Sequence, residues 1–493
     1  MTLLSSHSDI GPSEDVNDST GDRPSSQYET VFNRLIKAIS TSLAKTSPSD
    51  ANYDFTVSLA GEDSQFTRFN SAKVRQSGQV CDGQLRLTLM SAERTTAANI
   101  PFIGSFDTDW AFTTKALEQL RADLIHLPAD PYMVLPKAFQ QGNSREVRSG
   151  KLLPPGKVAE TVIEAVRSLD FSGLYAGGLS YRAYGDSAGN RHWFETPSFT
   201  LDYSLFGTST QKSDRRSDKR ADKSSDSQAV KGILAGHTWS TADYLSNVAS
   251  AQKQLALLAR PAKAIAKGAY RTYLAPAAVG DIIDTLIWGG GLGEAALRQG
   301  NSAFNPLEKG EVALSEQFSL SEDFQRVSMP RFNTNGAIAP TYLPIIQNGQ
   351  WASSLVNARS AKEYQKASNA ANASESMRAP VVAVGSLKAE DILARLETGL
   401  YISNLHYLNW SDLTAGRITG MTRYACFWVE EGEIVAPIEN LRFDDNLYRF
   451  LGEGLIALTD RQTFLPAVDT YERRSLGGMW VPGMLIEQFR YTL

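Results

Sequence analysis

The sequence predicts an α+β chain built in more than one unit, and three observations carry that prediction. Stretches with apolar residues at helical spacing are interspersed with stretches in which every second residue is apolar. Paired runs of the alternating kind are joined by short turn-forming clusters. One long polar stretch, over residues 208–228, divides the chain of 493 residues. At roughly 150 residues per domain, that length accommodates two large domains or about three smaller ones.

The elements follow in order. Residues 1–27 are rich in Ser, Asp and Gly and lack periodic apolar positions, which predicts a disordered leader. From Tyr28, a helix is predicted by Val31, Leu35, Ile36, Ile39 and Leu43. Tyr53, Phe55, Val57 and Leu59 alternate as a strand; Leu85, Leu87 and Leu89 form another, after a turn at Cys81-Asp82-Gly83. Helices are expected over 107–127 and 158–169. A long hairpin follows, with Leu179, Tyr181 and Ala183 on one side and Phe199, Leu201, Tyr203 and Leu205 on the other.

The polar stretch carries six basic and four acidic residues, net +2, and no apolar face to bury. It is read as a linker over 208–229, between an N-terminal domain over 28–207 and a C-terminal domain over 230–493. Beyond it, residues 241–266 read as a long helix and 270–274 as a strand. A helix entered at Pro276 carries Val279, Ile282, Ile283, Leu286 and Ile287 at i, i+3, i+4, i+7 and i+8. Residues 305–380 read as irregular. A helix over 389–398, a strand over 401–405 and a hairpin about Glu430-Glu431-Gly432-Glu433 complete the series.

Composition narrows the function. Lys+Arg minus Asp+Glu is 49 − 54 = −5, so no basic excess points to nucleic acid as the partner. Two cysteines exclude a disulfide framework or a cysteine-rich zinc module. The N-terminus has neither a basic n-region nor an apolar h-region, and no run of 18 apolar residues occurs. A soluble cytoplasmic protein without membrane contact is the expectation.

Two catalytic motifs occur in the wrong context. Gly185-Asp186-Ser187-Ala188-Gly189 matches G-x-S-x-G, but strand residues follow where a nucleophile elbow needs a helix. A hairpin tip is the reading preferred. Gly291-x-Gly293-x-x-Ala296 matches a dinucleotide fingerprint, but a helix precedes it where a strand is required. The five histidines show no H-E-x-x-H pairing, and His406 with Cys426 is a weak ligand pair. Tyr407, Trp410, Tyr424, Phe427 and Trp428 read as core aromatics in preference to a stacking platform.

Residues 399–452, GLYISNLHYLNWSDLTAGRITGMTRYACFWVEEGEIVAPIENLRFDDNLYRFLG, are the most distinctive stretch. With Asn404, Asn409, Thr419-Gly420, Gly432-Glu433 and Pro437, it resembles the C-terminal region of the TldD/PmbA family. These peptidase-related proteins are also called TldD/TldE or "modulator of DNA gyrase" proteins. Tyr270-Arg271-Thr272-Tyr273-Leu274-Ala275-Pro276 and a helix over 361–367 add to the likeness, which spans roughly residues 28–493.

The resemblance implies two α+β domains with large curved antiparallel sheets and flanking helices, dimerising around an enclosed cavity. TldD-type members carry a zinc motif, HExxxH, on a helix. The corresponding stretch is placed at residues 288–304, WGGGLGEAALRQGNSAF, where both histidines are missing and only Glu294 remains as an acid. The chain thus resembles the PmbA/TldE side, with no catalytic residue, metal or cofactor expected. A peptide groove is expected at Asn404, Tyr407, Asn409, Arg423 and Trp428. The partner would be a second copy or a TldD-type HExxxH homologue, and the substrate unfolded peptide. The alternatives are a non-enzymatic regulator of the gyrase-modulator type and a self-sufficient hydrolase with an unrecognised site.

Overall fold

The computed structural model describes residues 27–45, 53–138, 142–207 and 228–492. The predicted leader (apart from Gln27) and nearly all of the predicted linker lie outside the described residues. The architecture is α+β, with two large, mainly antiparallel sheets. The first has seven strands: β1 (Asp54–Asn70), β2 (Lys73–Ser91), β3 (Arg94–Pro101), β4 (Asn143–Val147), β5 (Asp170–Asp186), β6 (Arg191–Phe206) and β7 (Ala229–Gly236). They run β3-β2-β1-β5-β6-β4, with β7 also on β6.

Odd-numbered residues of β1 and β5 share one face, because their register is unbroken from Thr56↔Asp186 to Phe69↔Gly173. Helices α1 (Gln27–Ala44) and α2 (Phe106–Leu124) cover one end of that face, burying Phe32, Leu35 and Ile36 against Leu59, Leu87 and Tyr181. Helices α3 (Val158–Val166) and α4 (Thr241–Leu258) cover the other end, where Val162 and Tyr244 meet Phe171 and Phe199. On the opposite face, Tyr184 and Phe194 pack on Phe332, which comes from the C-terminal half.

The second sheet has thirteen strands: β8 (Gly268–Leu274), β9 (Leu320–Asp323), β10 (Tyr342–Gln347), β11 (Gln350–Trp351), β12 (Pro380–Val382), β13 (Gly399–Ile402), β14 (Asn404–Asp412), β15 (Arg417–Arg423), β16 (Phe427–Glu430), β17 (Glu433–Pro437), β18 (Arg442–Asn446), β19 (Leu455–Pro466) and β20 (Gly478–Tyr491). Its spine is β12-β20-β8-β13-β16-β17, parallel only at β8–β13 and β12–β20. Six short helices flank it: α5 (Pro276–Gly289), α6 (Glu294–Arg298), α7 (Asn305–Glu308), α8 (Ala358–Tyr364), α9 (Ile392–Leu396) and α10 (Leu447–Phe450).

Several expectations are corrected. Cys81-Asp82-Gly83 is no turn: β2 runs straight through it, paired with Gly61, Glu62 and Asp63, and the reversal falls at Ser71 and Ala72, both left-handed. The helix predicted over 241–266 stops at Leu258, shortly before Pro261, whose ring cannot continue it. Residues 229–236 form β7 on β6, so they complete the first sheet and do not open the C-terminal part. The region 305–380 holds four short strands that the alternation test is too coarse to find. Residues 288–304 form no single helix; α5 ends at Gly289 and α6 begins at Glu294.

Candidate functional site

Helix α5 is apolar apart from Asp281, Asp284 and Thr285. Its buried stripe of Ala278, Val279, Ile282, Ile283 and Leu286 belongs to the main core of the second sheet. Asp281, Asp284 and Trp288 stand at i, i+3 and i+7, so they share a second stripe. Trp288 is 76% exposed there.

Strand β14 lies against this helix. Among the described residues it pairs only with β15, which leaves its other edge without a strand. That edge is instead met by α5, where Asp281 Oδ2 accepts the Leu405 amide at 2.9 Å. The β14–β15 register slips between His406 and Asn409; within that irregularity Tyr407 adopts φ 53° and is thrown outward, 77% exposed. Two large aromatic side chains, Tyr407 and Trp288, are therefore left uncovered on the two elements that meet at the α5–β14 seam.

Burial raises the Asp281 carboxyl to about 7, opposed by the Leu405 amide and reinforced by Asp284. The Asp284 carboxyl is raised by the surrounding protein too, more weakly, since the residue is itself exposed. Burial and then Arg423 push the His406 imidazole down, which favours its neutral form. A carboxyl near neutrality can both take and give a proton at physiological pH. The sequence reading missed this pair; two acids interrupting an apolar helical run were the available signal.

The expected groove residues are brought together only in part. Asn404 faces Arg423 across the β14–β15 pair, and Tyr407 and Asn409 follow on β14. Asn409 turns its Oδ1 to the Trp410 amide at 2.8 Å. The Arg423 guanidinium lies 4.8 Å from the centre of the Tyr424 ring. Trp428 is engaged elsewhere, with Lys263 over its ring at 4.6 Å and its Nε1 donating to Glu430 at 2.6 Å.

Glu294 is a structural clamp. Its carboxylate accepts from Arg298 at 2.7 Å and Ser354 at 2.5 Å, with Lys366 at 3.9 Å, and its side chain is 2% exposed. Burial alone would raise its pKa, but these partners together hold it below the usual range. The glycines beside it serve close packing: a Cβ on Gly293 would lie 2.4 Å from that of Glu375. Glu375 itself accepts the Ala295 amide at 2.9 Å, so a carboxylate already fills the start of α6. Ser187 sits at the β5–β6 hairpin tip, where its hydroxyl donates to the Asp54 carboxylate at 2.8 Å and accepts the Phe55 amide at 3.3 Å, and no helix follows it.

A zinc ion does not fit these residues. Among the described residues, no group of three or more His, Cys, Asp or Glu side chains is placed to hold a metal. His406 pairs in register with Met421, and the buried Cys426 donates to the Arg423 carbonyl.

Residues 267–492 match the family model described as the PmbA/TldA metallopeptidase C-terminal domain. The C-terminal part of the chain belongs to the PmbA/TldD family. This PmbA/TldD domain contains α5, β14 and the seam between them, together with every residue expected to line a groove. The whole fold is also shared. TldE from Thermococcus kodakarensis superposes with TM-score 0.71 at 14% identity, over 94% of this chain and 100% of its own. A putative modulator of DNA gyrase from Bacteroides thetaiotaomicron gives 0.72 at 15%, over 93% and 98%. Another from Thermotoga maritima gives 0.69 at 13%, over 94% and 100%. No curated protein matches the sequence. Among the described residues, no helix is long and apolar enough to cross a membrane.

Proposed function

We propose that the chain is the zinc-free, TldE-like subunit of a PmbA/TldD-type peptidase complex in the cytoplasm, acting with an HExxxH-bearing homologue on unfolded peptide. The observation that supports this reading most is the edge of β14 beyond Leu405, with which no strand pairs among the described residues. An extended peptide can add to such an edge through its backbone while Tyr407 and Trp288 receive its side chains. On this reading hydrolysis falls to the partner's metal and this chain contributes wall and selectivity, which is supported by the lack, among the described residues, of a group placed to hold a metal. The test is a set of parallel cleavage assays on an unfolded peptide, with and without a zinc chelator. This chain alone is expected to be inactive, and adding it should raise the chelator-sensitive cleavage by the homologue. Chelator-resistant turnover by this chain alone, surviving repurification, would end the proposal.

One observation favours a second reading, a self-sufficient hydrolase: the near-neutral carboxyl of Asp281 beside Asp284. Under that reading, Asp281→Asn abolishes activity of the isolated chain. A non-enzymatic regulator, the third reading, takes its support only from the likeness in fold to two putative modulators of DNA gyrase.

A further inference from the structure

The face of the first sheet opposite α1–α4 is only partly covered by the C-terminal half, and the uncovered end forms a cavity of about 810 Å3. That lies toward the upper end of the range of about 300–1,000 Å3 typical of ligand sites. Its wall is made of strand side chains. Arg68 of β1 stands opposite Gln76 of β2, and the register breaks between Arg68 and Phe69. Arg75 is the unmatched residue of that break, which re-aims its side chain, and both arginines line the cavity with Gln76 and Gln79. Lys231 and Asp202 line the far side and are bonded to each other at 2.5 Å.

Charge decides what such a wall accepts. Three cations against one carboxylate leave +2 in the cavity, within a chain of net charge −5. The Lys231–Asp202 pair is internally satisfied, whereas among the described residues no ion pair answers Arg68 or Arg75. Two exposed guanidinium groups on neighbouring strands suit carboxylates, which they bind in a bidentate fork. The carboxamides of Gln76 and Gln79 offer both donors and acceptors, as a peptide backbone requires. A nucleic-acid strand would want a row of rings to stack on, but of the three lining rings Phe69 and Tyr203 are buried and Phe66 alone is part-exposed.

We propose that this groove binds an acidic, extended polypeptide segment, its carboxylates held by Arg68 and Arg75. The site shares no residue with α5 or β14, and its test involves neither a partner nor cleavage, so it stands or falls independently of the proposed function.

The experiment measures fluorescence anisotropy of the full chain with a labelled Glu/Ser-repeat peptide and its Gln/Ser twin. The Glu peptide should bind at least about tenfold more tightly, and more weakly as salt rises. The double variant Arg68→Gln/Arg75→Gln should lose about tenfold or more, as expected when charge-assisted bonds are removed. Lys115→Gln on α2 should leave binding unchanged. Should the double variant not fold, Arg75→Gln on the exposed part of β2 decides alone. Equal affinity for the twin peptides, undiminished binding by the folded variant, or tighter binding of a labelled oligothymidine would each overturn the proposal.

Discussion

Only Asp281 and Asp284 carry charge on α5, and the protein around them raises both carboxyls. For Asp281, a folded-state value of about 7 stands against roughly 3.9 for an unfolded aspartate. Between those values the folded chain holds a proton that the unfolded chain has released. Stability must therefore fall as pH rises from about 4 to 7, by an amount on the order of 1–4 kcal/mol from this one group. Asp281→Asn keeps an oxygen for the Leu405 amide but cannot ionise. Thermal melts of wild type and variant at pH 5 and pH 8 check this: the wild type should lose more stability than the variant over that interval. Parallel curves would mean that the carboxyl is as well solvated folded as unfolded. The same residue marks a limit of reading a sequence. Its chemistry depends on a strand more than a hundred positions away, and nothing local in the helix shows that contact.

At the scale of elements, legibility followed locality. The α1, α3, α5 and hairpin predictions rest on periodicity inside one segment, and they match the elements found. The course of β2 did not announce itself, because residues 73–82 are all exposed and carry no alternation to read. The supposed single helix over 288–304 failed at its glycines, where a left-handed Gly291 packs against Ser302. Residues expected to line one groove were placed from strand likeness alone; β14 holds three of them together, while Trp428 faces Lys263. Gly399 shows how tightly the approach to that edge is built. A Cβ there would lie 2.1 Å from the Arg271 carbonyl oxygen of β8, a backbone atom that cannot swing aside. Gly399→Ala should therefore cost about 1–3 kcal/mol of stability in urea unfolding and loosen β13 from β8. An unchanged midpoint would show that the strand pair tolerates a spacing wider than the native one.

The two sheets are joined by a buried charge that no local pattern in the sequence reveals. Arg474 lies between β19 and β20, yet its side chain enters the second face of the first sheet, 5% exposed, 3.6 Å from Glu62 of β1. Its guanidinium also donates to the Ser198 carbonyl at 2.6 Å, to Ser198 Oγ at 2.8 Å and to Ser180 Oγ at 3.2 Å. The Arg474 amide donates to Glu62 at 3.2 Å, so backbone and side chain anchor the same loop. Burial pushes the guanidinium pKa down, with Glu62 opposing, which measures how far this charge has been taken from water. A pair of this kind is costly to assemble and costlier to break, because removing one partner strands the other in the interior. Arg474→Ala should thus destabilise the whole molecule by about 3–5 kcal/mol, seen as an earlier urea midpoint. Replacing both charges by groups of similar size, Glu62→Gln with Arg474→Met, should recover much of that loss, because neither member of the pair is then stranded without the other. If the double variant is as unstable as Arg474→Ala, the junction depends on the guanidinium's bonds to Ser180 and Ser198 and not on charge pairing. The geometry favours pairing: Glu62 is 2% exposed, and among the described residues Arg474 is the one cation within ion-pair distance of it, with Arg182 acting on the same carboxylate from farther away.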